Sequence, residues 1–316
     1  MAENRLETQE LLINDSELAP VVLFIFNRPD CVERTLEALS NNTFADKTDL
    51  YIYADGPRNE NDELGCNKSR DVIKRYSDCF KSVELICRTE NWGLARNSIC
   101  GITEVINSRG KMIMMEDDTV PAPYFLKYMN IGLNKYQDNE KVMEITGFQM
   151  PIKSDEEPRA VFIKGSYAWA WGTWSNRWKE YHRNAEELMR KFSNRDIYNL
   201  NFDGSVDIYD QLRANRDGQM DTWAVFWSAI RYLQDGFMLC PTKSLIQMIG
   251  FDDRSEHNRE ENAIAKVELY NGEILQFPDL VSEDIDTRKL IVRTFEKELS
   301  FKAKMLLKME KYISRR

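Results

Sequence analysis

The chain has 316 residues, 42% hydrophobic and 30% charged with few Gly and Pro, which is the make-up of a globular protein with one large or two modest domains. A formal net charge of −9 excludes a general nucleic-acid binder, which needs a broad basic face. No apolar run approaches the length of a membrane span, and residues 1–19 are polar and acidic without a signal-type apolar stretch, so a cytoplasmic protein is expected.

In chain order, VVLFIF (21–26) reads as a buried strand that stops at Asn27-Arg28-Pro29, with Pro29 opening a helix to about residue 41. DLYIYADG (49–56) is a second strand closed by Asp55-Gly56-Pro57, followed by a polar helix near 67–79 and the strand VELIC (83–87). NWGLARNSICGITEVINS (91–108) is a loop leading into an amphipathic helix. The apolar run KMIMM then ends in three carboxylates, Glu116, Asp117 and Asp118. This βαβαβαβ rhythm of fully apolar strands predicts an α/β fold, a mostly parallel central sheet with helices on both faces.

The later part differs in character. A short strand near 141–146 precedes a polar connector (153–160) and then GSYAWAWGTWSNRW (165–178), which holds four of the seven tryptophans. Helices are expected near 185–192, 208–216 and 221–234, strands near 237–248, and a surface loop over 249–262. From about 286 the chain reads as a basic amphipathic helix, with Ile291, Phe295, Leu299, Leu306 and Ile313 at helical spacing. The expected organisation is an N-terminal extension (1–18), two halves of one domain (19–150 and 151–284) and the C-terminal helix (285–316).

Several features carry chemistry. In open α/β sheets ligands bind beyond the carboxyl ends of the strands, where Asn27-Arg28, Asp55, Asn91 and the acidic triplet converge. Adjacent carboxylates repel unless solvated or neutralised, so the triplet is either an exposed turn or a seat for a hard cation such as Mg²⁺ or Mn²⁺ holding a diphosphate. Gly93 permits close backbone approach, and the helix N-terminus beyond it favours an anion. Asp55 reads equally as a turn residue and Asp221 equally as a helix N-cap. The tryptophans suit a core or a sugar-stacking surface; the glycines at 165 and 172 favour a loop over pure packing. Six cysteines at irregular spacing fit reduced thiols, and two histidines exclude a His-rich metal site.

VVLFIFNRPD, YADG, NWGLARN and MMEDD, in this order and spacing, resemble a GT-A (Rossmann-like) glycosyltransferase, related to the bacterial family-2-like and N-acetylglucosaminyltransferase I-like groups, over about residues 19–260. The resemblance implies a sugar transfer, with inversion, from a nucleotide-diphosphate donor (UDP favoured) to a hydroxyl of a glycan or lipid-linked acceptor. It implies that Asp118 binds Mn²⁺ or Mg²⁺, with Glu116 and Asp117 on ribose, sugar or metal-bound water. The first of the three is Glu where Asp is commoner. Phe26, Asn27, Arg28 and Asp55 would face base and ribose, with Asn91, Gly93 and Asn97 on the donor side. IGFDDRSEH resembles a segment whose His returns to the metal, here His257, although Met248 stands where Asn is commoner. Trp169, Trp171 and Gly172 would line the sugar or acceptor pocket, and Asp221 would be the general base, ahead of Asp203, Asp207 and Asp210. Alternative readings are a sugar nucleotidylyltransferase, disfavoured because FNRPDCVERT lacks a Gly-rich basic loop, and a non-catalytic carbohydrate- or nucleotide-binding module. The C-terminal helix either packs on its own domain or meets anionic lipid as a peripheral anchor at the inner face of the membrane.

Overall fold

The computed structural model describes residues 18–153, 156–251 and 263–298. In chain order the first elements are β1 (Val21–Ile25), α1 (Pro29–Ser40), β2 (Asp49–Ala54), α2 (Glu60–Ile73), β3 (Ser82–Cys87), α3 (Gly93–Arg109), β4 (Lys111–Glu116), β5 (Thr119–Pro121) and α4 (Phe125–Lys135). They are followed by β6 (Val142–Thr146), β7 (Ala160–Ile163), β8 (Trp171–Trp174) and the short helices α5 (Ser175–Trp178), α6 (Ala185–Met189) and α7 (Asn194–Leu200). Last come α8 (Ile208–Arg216), α9 (Ala224–Leu233), β9 (Phe237–Pro241), β10 (Ile246–Met248) and α10 (Ile285–Glu298).

One eight-stranded sheet runs β3-β2-β1-β4-β8-β6-β9-β7, with β10 and β5 forming a separate antiparallel pair. The first four strands are mutually parallel, and β6 is parallel to β9. Among the described residues only β8 and β7 oppose their neighbours in this sheet. Strands from the two halves of the chain thus interleave in a single sheet. The expected α/β class, a mostly parallel central sheet with helices on both faces, is what the chain adopts.

The alternation of each central strand explains why its sequence is apolar throughout. Val21, Leu23 and Ile25 share one core with Val32, Leu36 and Leu39 of α1. Val22 and Phe24 face the other way, with Met112 and Met114 of β4 and Ala95, Ile102, Val105 and Ile106 of α3. A strand covered by helices on both faces has no polar side to show.

Among the elements that differ from the sequence expectation are α2, α4 and β8. Helix α2 begins at Glu60 rather than near 67, because Asn59 caps it by accepting from the Asn61 N–H at 3.0 Å. Helix α4 was not anticipated, although Phe125, Leu126, Met129 and Leu133 recur at helical spacing and are all buried. The tryptophan-rich stretch holds a strand where a loop was expected. β8 lies between β4 and β6, and Gly172 is required there because a Cβ would sit 2.7 Å from the Met112 carbonyl oxygen. Gly165 likewise makes room for the Phe202 ring. Packing therefore accounts for both glycines.

Trp171 and Gly172 are accordingly core rather than acceptor surface. Trp171 is fully buried among Trp178, Trp223 and Trp227, at ring-centroid distances of 6.0, 5.6 and 5.6 Å. The described part of the C-terminal helix packs on its own domain: Ile291 and Val292 are buried, and Phe295 meets Phe202 at 5.5 Å. Arg288 ties the same helix to Asp203 at 2.8 Å and to Glu283 at 3.3 Å. Leu299, Leu306, Ile313, His257 and the extension before residue 18 lie outside the described residues. All six cysteines are free, and no described helix is long and apolar enough to cross a membrane.

Trp171→Ala removes a fully enclosed ring and is expected to cost about 3–5 kcal/mol in urea unfolding, whereas the half-buried Trp169→Ala costs clearly less. Equal losses for the two variants would contradict the assignment of Trp171 to the core.

Candidate functional site

The strand order places β2 and β3 on one side of β1 and β4 on the other, so the order of successive strands reverses between the parallel neighbours β1 and β4. Crevices open at such switch points, outside the carboxyl ends of the strands. The cleft found here is lined by the residues after β1 (Phe26, Asn27, Arg28), after β2 (Asp55, Arg58) and at the end of β4 (Glu116, Asp117, Asp118). Asn91, Gly93, Leu94 and Asn97 of the α3 junction, Trp169, and Met248, Gly250 and Phe251 complete it. Eleven of the expected site residues meet in this one cleft: Phe26, Asn27, Arg28, Asp55, Asn91, Gly93, Asn97, Glu116, Asp117, Asp118 and Trp169.

The acidic triplet is neither an exposed turn nor three equivalent ligands. Arg28 extends its Nη2 to Asp117 Oδ1 at 2.5 Å and to Asp118 Oδ2 at 2.9 Å, with only 16% of its side chain exposed. Burial disfavours the charge on Arg28, but Asp117 and then Asp118 outweigh that and hold it protonated. This corrects the expectation that Arg28 lies against base and ribose. The second oxygen of Asp117 accepts from the Phe26 N–H at 3.1 Å, and its carbonyl accepts from Thr35 Oγ1 at 2.8 Å. Asp117 thereby joins β1, α1 and β4 and points into the protein.

Capacity for a ligand remains on the other two acids. Asp118 Oδ1 is buried without a partner, an expensive state for a carboxylate oxygen. The Glu116 carboxyl lines the cleft, and burial, followed by the charges of Asp118 and Asp117, raises its pKa. An orphaned buried oxygen beside a second carboxyl is a donor set of hard oxygens, suited to Mg²⁺ or Mn²⁺ that takes its other ligands from phosphate and water. Among the described residues no cluster of three or more His, Cys, Asp or Glu forms a self-sufficient metal cage.

Gly250 roofs this arrangement. The Ile249 N–H donates to the Asp118 carbonyl at 2.9 Å, and a Cβ on Gly250 would lie 2.0 Å from Asp118 Oδ2 and 2.8 Å from Arg28 Nη1. Only glycine lets the backbone come this close.

Asp55 has a different role from the one expected. Its Oδ1 accepts from the Gly56 and Trp92 N–H groups, each at 2.8 Å; its Oδ2 accepts from the Gly93 N–H at 2.9 Å and Asn91 Nδ2 at 3.2 Å. A carboxylate has about four acceptor positions, and all are occupied inside the protein. Asp55 therefore has none left for a base or ribose, and it satisfies the first N–H groups at the start of α3 that were expected to receive a diphosphate. Gly93 adopts the left-handed φ of +74° that this turn demands. Asn97 is buried and accepts from Arg88 Nε at 3.1 Å, while the Arg88 and Arg96 guanidinium groups lie over the Trp92 ring at 3.9 and 4.0 Å.

Asp221 is not brought to the cleft. Helix α9 starts three residues later with Trp223 at its N-cap position, and no side chain caps it. Asp221 is instead 72% exposed and pairs with Arg183. Its rival Asp203 pairs with Arg288, and Asp210 pairs with Arg213. Sequence reasoning missed Arg58, which stacks 4.9 Å over the Phe26 ring and pairs with Asp62, itself bonded to Asn27 Nδ2 at 2.5 Å. Its position directly after the strand-ending Asp55-Gly56-Pro57 was the available signal. Burial pushes the thiol of Cys31, beside Arg28, up to about 12, so it is no nucleophile.

No family model matches the chain, and no curated protein matches it by sequence. Among solved structures, S. aureus TarS is 9% identical over 44% of this chain with a TM-score of 0.32, and the match spans 24% of TarS. A mannosyltransferase from Pyrobaculum calidifontis, in complex with GDP-Man and Mn²⁺, is 8% identical over 73% of this chain and 76% of its own, with a TM-score of 0.39. A UDP-glucose pyrophosphorylase complexed with UDP-glucose is 10% identical over 70% of this chain and 89% of its own, at 0.33. Likenesses this distant carry no argument about activity.

Asp55→Asn replaces two acceptor positions by a donor that faces N–H groups. It is expected to destabilise the fold by about 1–3 kcal/mol and to speed amide exchange at Trp92 and Gly93 selectively. Unchanged exchange at those two amides would show that Asp55 does not hold the start of α3.

Proposed function

We propose that the protein is a glycosyltransferase that uses a nucleotide-diphosphate sugar. The observation that carries this reading is that Glu116 and the orphaned Asp118 Oδ1 stand in one cleft at the end of β4, at the switch point of the sheet. The order of groups across the sheet edge supports it. Arg58 and Phe26, a cation on an aromatic face, follow β2 and β1; the acids end β4; and Trp169 precedes β8. A base and ribose at the Phe26–Arg58 side, a diphosphate beside the acids, and a sugar toward Trp169 match that order chemically.

Glu116 and Asp118 are the residues that would hold a divalent cation. Bound there, it would supply charge neutralisation for the departing diphosphate. In the reaction, the acceptor hydroxyl oxygen forms a bond to the anomeric carbon as the bond from that carbon to the diphosphate oxygen breaks, and the hydroxyl proton passes to a base. Inversion, UDP as the nucleotide, a hexosyl or N-acetylhexosaminyl group, and a glycan or lipid-linked acceptor belong to this proposal. Asp221, exposed and paired with Arg183, is not assigned as the base.

A panel of nucleotide sugars with and without Mn²⁺, read by thermal shift, tests the reading. The correct donor at about 100 times its Kd should stabilise the protein by roughly 2.7 kcal/mol. Asp118→Asn is expected to abolish the Mn²⁺-dependent part of that shift while the fold stays intact, and normal donor binding by this variant would remove the acids from the site. Asp221→Asn is expected to change turnover by no more than about twofold, as for a surface substitution. A loss of several orders of magnitude would return it to the mechanism.

A further inference from the structure

We propose that Arg28 is the resident counter-cation of the acidic triplet, and that it makes uptake of a divalent cation conditional on the nucleotide diphosphate. This rests on the donor reading above and concerns the order in which its parts assemble. Nη2 of Arg28 lies between Asp117 Oδ1 and Asp118 Oδ2, at 2.5 and 2.9 Å, so a positive charge is already held against Asp118, one of the two acids that would hold a metal. The guanidinium is held in that place: Arg28 fills the N-cap position of α1, and the Gly250 backbone closes over Nη1 and Asp118 Oδ2.

A metal ion arriving alone finds Asp118 Oδ2 already engaged by a positive charge. Asp118 Oδ1 and the Glu116 carboxyl remain, too few ligands for tight binding of Mg²⁺ or Mn²⁺, which needs near-octahedral oxygen coordination. A diphosphate changes both terms together. It brings phosphate oxygens to complete the cation's shell and negative charge for the guanidinium to turn toward, so that Asp118 is released from its pair. Arg28 fits such a handover, since its planar fork can exchange a carboxylate for a phosphate with little loss of hydrogen-bond geometry. Metal and diphosphate therefore favour each other's binding, and Arg28 is a positioning residue that sets the size of that coupling.

The test is Mn²⁺ binding followed by the electron paramagnetic resonance signal of free Mn²⁺, with and without UDP and GDP. In the unmodified protein, Mn²⁺ alone should bind weakly, and the matching nucleoside diphosphate should strengthen it by about tenfold or more. Arg28→Met, similar in length but uncharged, should bind Mn²⁺ alone about tenfold more tightly and show a smaller strengthening by the nucleotide. Arg28→Gln serves as a second neutral variant where the first does not fold, judged by circular dichroism. Arg28→Lys, which keeps the charge, should stay close to the unmodified protein for Mn²⁺ alone. Unchanged or weaker Mn²⁺ binding in folded neutral variants, alongside normal Mn²⁺–nucleotide binding in the unmodified protein, overturns the inference while leaving the donor reading standing. Failure of the unmodified protein to bind any nucleoside diphosphate with Mn²⁺ overturns both.

Discussion

Three carboxyl groups on consecutive residues at the end of a buried strand set the problem around which this half of the molecule is built. Left unneutralised, each would add repulsion to a loss of solvation. The chain answers with Arg28, drawn from the turn after β1, and through Asp117 with the Phe26 N–H and Thr35 Oγ1 as well. Each of these bonds ties the β4 end to the β1–α1 junction. The Ile249 N–H on the Asp118 carbonyl adds the segment after β10. Breaking one partner of such a buried ion pair typically costs about 3–5 kcal/mol, so the convergence of these three segments is energetically coupled to the charges it encloses.

Hydrogen-bond capacity separates acids that look alike in the sequence. Asp55 and Asp117 both sit at strand ends and both line the cleft, yet their oxygens are engaged by backbone N–H groups or by Arg28. Glu116 and Asp118 retain room to accept. The start of α3 shows the same division of labour: a protein carboxylate, Asp55, occupies the place where an anionic ligand could have been held. Within the cleft, a buried carboxylate oxygen left without a protein partner stands at the β4 end, on Asp118 Oδ1, and that orphan defines the site more sharply than the mere presence of acidic residues.

The parallel part of the sheet was legible because a strand buried on both faces must be apolar at every position, and VVLFIF and KMIMM are. The convergence of Asn27-Arg28, Asp55, Asn91 and the triplet followed from the rule for strand ends alone. The roles of Arg28, Asp55, Trp171 and Asp221 were not legible, for one physical reason: each is decided by a partner distant in sequence. Arg28 meets Asp117 across 89 residues, Trp171 meets Trp223 and Trp227, and Asp221 turns to Arg183. Gly172 exists for the Met112 carbonyl and Gly165 for the Phe202 ring. A tryptophan in a core and a tryptophan on a cleft rim have the same local sequence, so no periodicity could sort Trp169 from Trp171.

The antiparallel strand β8 completes the cleft for a reason of direction. In a wholly parallel sheet only residues that follow strands reach the ligand-binding edge. Because β8 runs against β4 and β6, its beginning lies at that edge, and Trp169, two residues before it, arrives beside the β4 acids. The ring is steadied there by Phe148, edge-on at 4.9 Å, and the Trp169 carbonyl accepts from Thr146 Oγ1 at 3.0 Å. Two residues on, after Ala170 interrupts the extended chain with a φ of +44°, Trp171 stacks in the tryptophan core rather than opening to the cleft. One strand thus supplies a fixed aromatic wall to the cleft and anchors the hydrophobic core, and it can do both only by reversing the direction of the sheet next to β4.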